Sequence, residues 1–179
     1  MHAVDHVMRA ARRLLVLAIL GILAAATSGI AAGQGGASPL NVDDNGVILH
    51  GYDAVSFQAQ QQPAKGTPSY SATHEGAIYH FASARTRDTF KANPAKYAPA
   101  YGGYCAMGVA VRKKLDGDPA AFTVSGGRLF LNVNGKVRST WAKDIQGNEL
   151  KAQKNWPRVR ALAGFDTMKC GADADSLMA

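Results

Sequence analysis

The sequence predicts an α+β domain in which a small antiparallel sheet, made from two hairpins, is covered by short helices. Three observations carry that prediction. Two stretches of strand-forming residues each fold back at a glycine turn, Glu75-Gly76 in the first and Gly126-Gly127 in the second. Each hairpin is followed by a segment of helical character. A hydrophobic fraction of 47% and a charged fraction of 18% are those of a globular chain.

In chain order, residues 34–46 are rich in glycine, serine, proline and asparagine and read as a flexible lead-in to a domain over residues 47–157. Val47-Ile48-Leu49 is a short apolar run broken by Gly51-Tyr52-Asp53, and Asp53 is placed to cap a turn over residues 54–57. Residues 58–68, with Gln60-Gln61-Gln62, Pro63, Gly66 and Pro68, read as a loop. The first hairpin pairs residues 70–74 with 77–81. Ser83 stands where a helix N-cap belongs, residues 84–92 are good helix formers, and Asn93-Pro94 stops them before one more turn at 95–97. Glycines bracket Tyr101-Gly102-Gly103-Tyr104-Cys105-Ala106-Met107-Gly108 and let the backbone bend around Cys105. Asp118-Pro119 reads as a cap followed by a first helical residue. In the second hairpin, residues 122–125 pair with 128–133, and Leu129 and Leu131 alternate with Phe130 and Asn132 at the period of a half-buried strand. Val137, Trp141, Ile145 and Leu150 lie near helical spacing, giving one or two helices broken at Gly147. Trp156-Pro157 closes the patterned region, and residues 158–179 form a loose tail.

Residues 1–33 read as a cleavable signal peptide. Arg9, Arg12 and Arg13 form its positive region, residues 14–26 its apolar region, and small residues up to Gly33 its cleavage site. The apolar run is shorter than the ~20 residues that span a bilayer, so no stable membrane anchor is expected after cleavage. The expected address is the periplasm or the medium, by the general or the twin-arginine route. Of the formal charge of +7, the leader holds two, and the rest is spread along the chain. The densest run, Arg112-Lys113-Lys114, reads as a solvated surface; nucleic acid would want a longer basic stripe with stacking aromatics.

Tyr79-His80-Phe81-Ala82-Ser83, Phe90, Pro94 and Tyr97 resemble the YHS domain, with its hairpin, aromatic pair, short helix and Pro-x-x-Tyr. Gly51-Tyr52-Asp53-Ala54-Val55, Tyr101-Gly102-Gly103-Tyr104-Cys105-Ala106, Gly117-Asp118-Pro119, Trp141 with Lys143-Asp144-Ile145, and Asn155-Trp156-Pro157 are similar to exported, stand-alone bacterial members. The resemblance implies metal binding, with copper the metal most often suggested. Relatives associated with copper-transporting ATPases often carry two cysteines at the helix start, where this chain has Phe81-Ala82-Ser83 and Thr86-Arg87.

Cys105 and Met107 form a Cys-x-Met pair, two soft donors of the kind that select Cu(I), and His80 offers an imidazole from the first hairpin. These three are the candidate metal ligands. Each has a plainer reading, Cys105 as a small buried hydrophobe, Met107 as core filling and His80 as a solvated or backbone-bonded ring. His50 and His74 read as surface residues, and Asp53 as a cap rather than a ligand. Outside the cytoplasm, Cys105 and Cys170 form a candidate disulfide, which would exclude Cys105 as a thiolate ligand. Tyr52, Tyr79, Tyr97, Tyr101 and Tyr104 serve either core packing or an aromatic-lined pocket. No nucleophile-elbow serine, His-Glu-x-x-His, Cys-x-x-Cys or dinucleotide-binding glycine motif is present, so no enzyme is expected. Two functions follow as expectations: non-catalytic copper binding or handling, or a metal-free binding module whose Tyr-rich pocket holds a small ligand or a protein partner.

Overall fold

The computed structural model describes residues 38–59 and 62–162. The leader and the tail cysteine Cys170 lie outside them. After a tight 3-10 turn at Leu49–Gly51 come α1 (Ser56–Ala59), β1 (Thr67–His74), β2 (Ala77–Phe81), α2 (Ala84–Ala92) and α3 (Pro94–Tyr97). A second 3-10 turn at Ala100–Gly103 leads into α4 (Ala106–Ala110), β3 (Asp118–Ser125), β4 (Arg128–Asn132), α5 (Gly135–Lys143) and α6 (Ile145–Val159). The architecture is α+β, as the sequence predicts: two antiparallel hairpins, β1–β2 and β3–β4, packed with short helices. The hairpins remain separate two-stranded sheets.

Local chemistry explains both hairpins and the first long helix. Glu75 and Gly76 turn with φ of 49° and 88°, and Gly126 and Gly127 with 57° and 75°, the left-handed pair that matches strand twist. Ser83 and Thr86 form a reciprocal cap, with the Thr86 amide donating to Ser83 Oγ at 3.2 Å and the Ser83 amide to Thr86 Oγ1 at 3.3 Å.

The core lies on both sides of β4. Leu129 and Leu131 pack with Ile48, Phe57, Phe81 and Phe90, beside the first hairpin. Phe130 packs with Tyr101, Tyr104, Trp141 and Val159, beneath the C-terminal helices. Leu129 through Asn132 are all buried, so β4 is a wall between two apolar clusters and not the half-buried strand that alternation suggests. Alternation fails as a signal there because a strand packed on both faces needs apolar groups on both.

Other expectations are corrected in the same way. Asp118-Pro119 opens β3, not a helix; Asp118 Oδ1 accepts the Ala120 amide at 2.8 Å, the bond a helix cap would also make. Thr67 and Pro68 belong to β1, at an irregularity in its register with β2 where the missing proline donor does no harm. The C-terminal helices break at Asp144, whose carboxylate accepts the Gly147 amide at 2.9 Å; Gly147 lies inside α6, which runs through Trp156-Pro157 to Val159. Leu150 is 68% exposed and takes no part in the core. Lys114 is buried, not solvated: its ammonium donates to the carbonyls of Arg160 and Leu162 at 3.2 and 3.0 Å, and burial lowers its pKa. Residues 38–45 are tied down where a flexible lead-in was expected. The Tyr104 hydroxyl donates to the Ser38 and Leu40 carbonyls, and the Asn41 amide to the Gly102 carbonyl at 2.8 Å. Gly102 permits this, because a Cβ there would collide with the Pro39 carbonyl oxygen. Among the described residues no helix is long and apolar enough to cross a membrane.

Two substitutions separate the wall from the periodic pattern. Phe130→Ala is expected to lower the free energy of unfolding by about 3–5 kcal/mol in denaturant melts. Leu150→Ala, on the same scale, should stay within about 0.5 kcal/mol of the parent.

Candidate functional site

Cys105 and Met107 come together at the start of α4. Cys105 is the N-cap: its Sγ accepts the Gly108 amide at 3.2 Å, and its own amide donates to the Leu115 carbonyl at 2.9 Å. The thiol is wholly buried among Leu115, Val137, Val133 and Met107, and that burial pushes its pKa up to about 11. Asn132 is enclosed beside it. Its Oδ1 takes the Met107 amide at 3.4 Å and the Cys105 S–H at 3.9 Å, while its Nδ2 has no partner.

His80 lies elsewhere. It is half-buried on β2, beside Gly51, and lines a cleft with Asp43, Val47, His50 and Lys65. The three candidate ligands therefore do not form one donor set, and among the described residues no three His, Cys, Asp or Glu side chains are grouped to hold a metal. As folded, the Cys105 cluster offers two sulfurs and an amide, and burial disfavours the thiolate form in which the cysteine would bind Cu(I). The candidate disulfide partner Cys170 lies outside the described residues; among those residues Cys105 forms no disulfide.

The tyrosines divide between the two cores. Tyr79 stacks at 4.5 Å on Phe90 on one side of β4, while Tyr101 and Tyr104 pack against Trp156 on the other. Burial pushes Tyr104 up to about 12. The two groups therefore belong to separate hydrophobic clusters. Asp53 is fully buried and caps as expected, Oδ1 accepting the Val55 amide at 2.9 Å; Oδ2 also accepts the Ala82 amide at 3.0 Å, tying the turn to the end of β2. His74 is half-buried rather than a free surface ring, edge-on to Phe90 at 5.9 Å.

The polar cluster that does form is centred on His50. Leu49 and His50 both take left-handed backbone, with φ of 56° and 52°. Such strain costs about 1–3 kcal/mol per residue and persists only where the surroundings enforce it. Here the Leu49 side chain is buried, and the Gly51 and Tyr52 amides close the turn on the Ile48 and Leu49 carbonyls at 3.0 and 2.9 Å. The His50 ring is thereby presented to Asp116, 66 residues further along, with Nε2 2.9 Å from Oδ1. Asn41 donates to the same oxygen at 2.7 Å and to the Gly103 carbonyl at 3.1 Å. Lys65 sits opposite. Its ammonium donates to the His50 carbonyl at 2.6 Å and lies 4.1 Å over the Tyr52 ring. These groups line a cleft of about 460 Å³, completed by Val42, Asp43 and Val47. The cleft lined by His80 shares Asp43, Val47, His50 and Lys65 with it.

The charges in the cleft support one another. The Asp116 hydrogen bond raises His50 above its ordinary 6.5, outweighing burial and the repulsion of Lys65. Burial alone would raise Asp116, but the bonds from His50 and Asn41 bring it below the usual carboxylate range.

Sequence reasoning read His50 as a surface residue and passed over Asp116, Asn41 and Lys65. No spacing rule joins residues so far apart. The one local signal was a polar residue directly before a glycine in a break between apolar runs, as in His50-Gly51 and Asp116-Gly117. Comparison with protein-family models, curated proteins and solved structures found no match. The function is therefore argued from the cleft itself.

The pair has a defined pH window. Asp116, depressed, stabilises the fold above its unfolded pKa, and this is lost as pH falls through its folded value. His50, raised, contributes fully below about 6.5, and this is lost as pH rises through its folded pKa. The His50–Asp116 coupling in a double-mutant cycle should therefore be greatest at roughly pH 4.5–6.5 and decline on both sides. In NMR titration, Asp116→Asn should move the His50 midpoint down. The Cys105 thiol, in turn, should resist iodoacetamide at about pH 8 in the native protein and react once denatured.

Proposed function

We propose that this chain is an exported, non-catalytic binding protein that works without a metal and takes a small polar molecule into the His50 cleft. The observation that carries the reading is the His50–Asp116–Asn41 network, built on left-handed backbone and opening on a cleft of about 460 Å³. That volume is in the range of small-molecule sites, which pair apolar walls with a few placed polar groups. Val42 and Val47 supply the walls, and His50, Lys65 and Asn41 the polar groups. Left-handed backbone at Leu49 serves the core by burying that side chain, but at His50 it carries an exposed ring, and its persistence there supports a binding role. The motif resemblance to exported YHS-domain proteins and the signal-peptide pattern support action outside the cytoplasm.

The test sets this reading against copper handling. Protein isolated without added copper is expected to contain no stoichiometric metal, and a fragment screen by NMR should give saturable shifts at Asn41, His50 and Lys65. If the protein instead competes with a chelator for Cu(I), and Cys105→Ser with Met107→Leu abolishes that binding, the metal-free reading is wrong.

A further inference from the structure

We propose that the ligand of this cleft carries an anionic group, a carboxylate or a phosphate, held jointly by the His50 imidazole and the Lys65 ammonium; the inference rests on the reading of this cleft as the binding site. It follows from the hydrogen-bonding capacity that remains once internal bonds are assigned. Each carboxylate lining the cleft has one oxygen engaged by internal donors. Asp116 Oδ1 accepts from both His50 and Asn41, and the Gly117 amide adds a further bond. Asp43 Oδ1 accepts the Asn45 and Val47 amides at 2.9 and 2.8 Å. Asn41 commits its amide group to Asp116 and to the Gly103 carbonyl.

The cations retain capacity. His50 uses Nε2 on Asp116, which leaves Nδ1 as a donor whenever the ring is protonated. The Lys65 ammonium has three N–H groups and gives one to the His50 carbonyl. The same bond brings the ammonium and the His50 backbone together, so the two cationic groups border one space and not two. Left over are cationic donors from two side chains, and an anion is the partner that satisfies them with charge-assisted bonds. Asp116 and Asn41 act through His50 as positioning residues: Asn41 holds the carboxylate, and Asp116 orients the ring and favours its charged form.

Protonation of His50 then gates the site. The charged groups that bear on it are Asp116, Lys65 and Asp118, with Asp43 and the His80 ring lining the adjoining cleft. As pH rises through the His50 pKa, Nδ1 changes from donor to acceptor and faces the anion with a lone pair. Affinity should fall over that interval.

The experiment titrates the full chain, followed by NMR, with four probes: inorganic phosphate, succinate, choline and glycerol. Phosphate or succinate is expected to shift His50 and Lys65 saturably at about pH 6 and to bind about tenfold more weakly at about pH 8. Whichever anion binds the more tightly names the source of the charge. Lys65→Met should weaken binding by about tenfold or more, as should His50→Asn, chosen because asparagine tolerates left-handed backbone. Asp116→Asn should move the pH dependence to lower pH, which a merely structural role would not do. Shifts from choline or glycerol with both anions silent would overturn the anionic assignment and leave the cleft reading standing. Anion binding that survives both Lys65→Met and His50→Asn would place the anion elsewhere and refute the proposal. If no probe moves the cleft resonances at tens of millimolar, the proposal and the cleft reading fall together.

Discussion

The double-sided burial of β4 is the constraint on which the rest of the molecule depends. A strand with apolar groups on both faces has no solvent side, so both neighbouring layers must form before it is satisfied. Leu129 and Leu131 require the first hairpin and α2; Phe130 requires Trp141 and the C-terminal helices. One edge of β4 pairs with β3, and the other makes parallel bridges at Pro99 and Cys105. The two hairpins never share a sheet, yet a single strand of five residues joins their cores. Removing a large side chain from it leaves a cavity against two layers that were each shaped to it, which is where collapse is hardest.

Cys105 is best understood from that edge. Its backbone bridges Leu131, its amide meets Leu115, and its thiol fills the space between those residues and Val137. A cysteine suits a position that needs a small apolar volume together with a weak acceptor for the free Gly108 amide of a short helix. The neighbouring Asn132 amide nitrogen is orphaned for the same reason: the wall is closed on every side, and its carbonyl oxygen is the atom that the start of α4 needs. The two sulfurs that read in the sequence as a soft-metal pair also pack in one apolar cluster where α4 meets β4.

What the sequence conveyed was chemistry that acts over a few residues. Glycine turns, the Ser83–Thr86 cap and the Asn93-Pro94 stop work within three or four positions, and each occurs where the pattern puts it. Asp118 was misread although its chemistry was right, because a carboxylate accepting an amide two residues ahead serves a strand bulge as well as a helix. Leu150 was misread because helical spacing marks a side of the helix without saying what covers it; β4 is already filled by Trp141 and Val159, and Leu150 is left outside. The His50–Asp116 pair could not be read at all. Its members come from two different breaks in the pattern, and only the completed fold brings those breaks to one place.

The cleft and the wall are mechanically one unit. Asp116 lies between Leu115, which covers Cys105, and Gly117, where any Cβ would strike Leu131 of β4 and the Gly103 carbonyl. Gly117 thus seats the segment directly on the wall and fixes the carboxylate relative to it. Asn41 reaches the same carboxylate from a strand of backbone that is itself anchored to Gly102 and Gly103. On the far side, Ile48 is fully buried in the core that β4 closes, and the residues that follow it must turn left-handed to clear that core. The His50 ring is therefore held from both ends by groups that take their positions from β4. The rigidity of this arrangement is what allows an exposed histidine to keep one orientation. A ring fixed this way has little ordering left to lose in any further contact it makes.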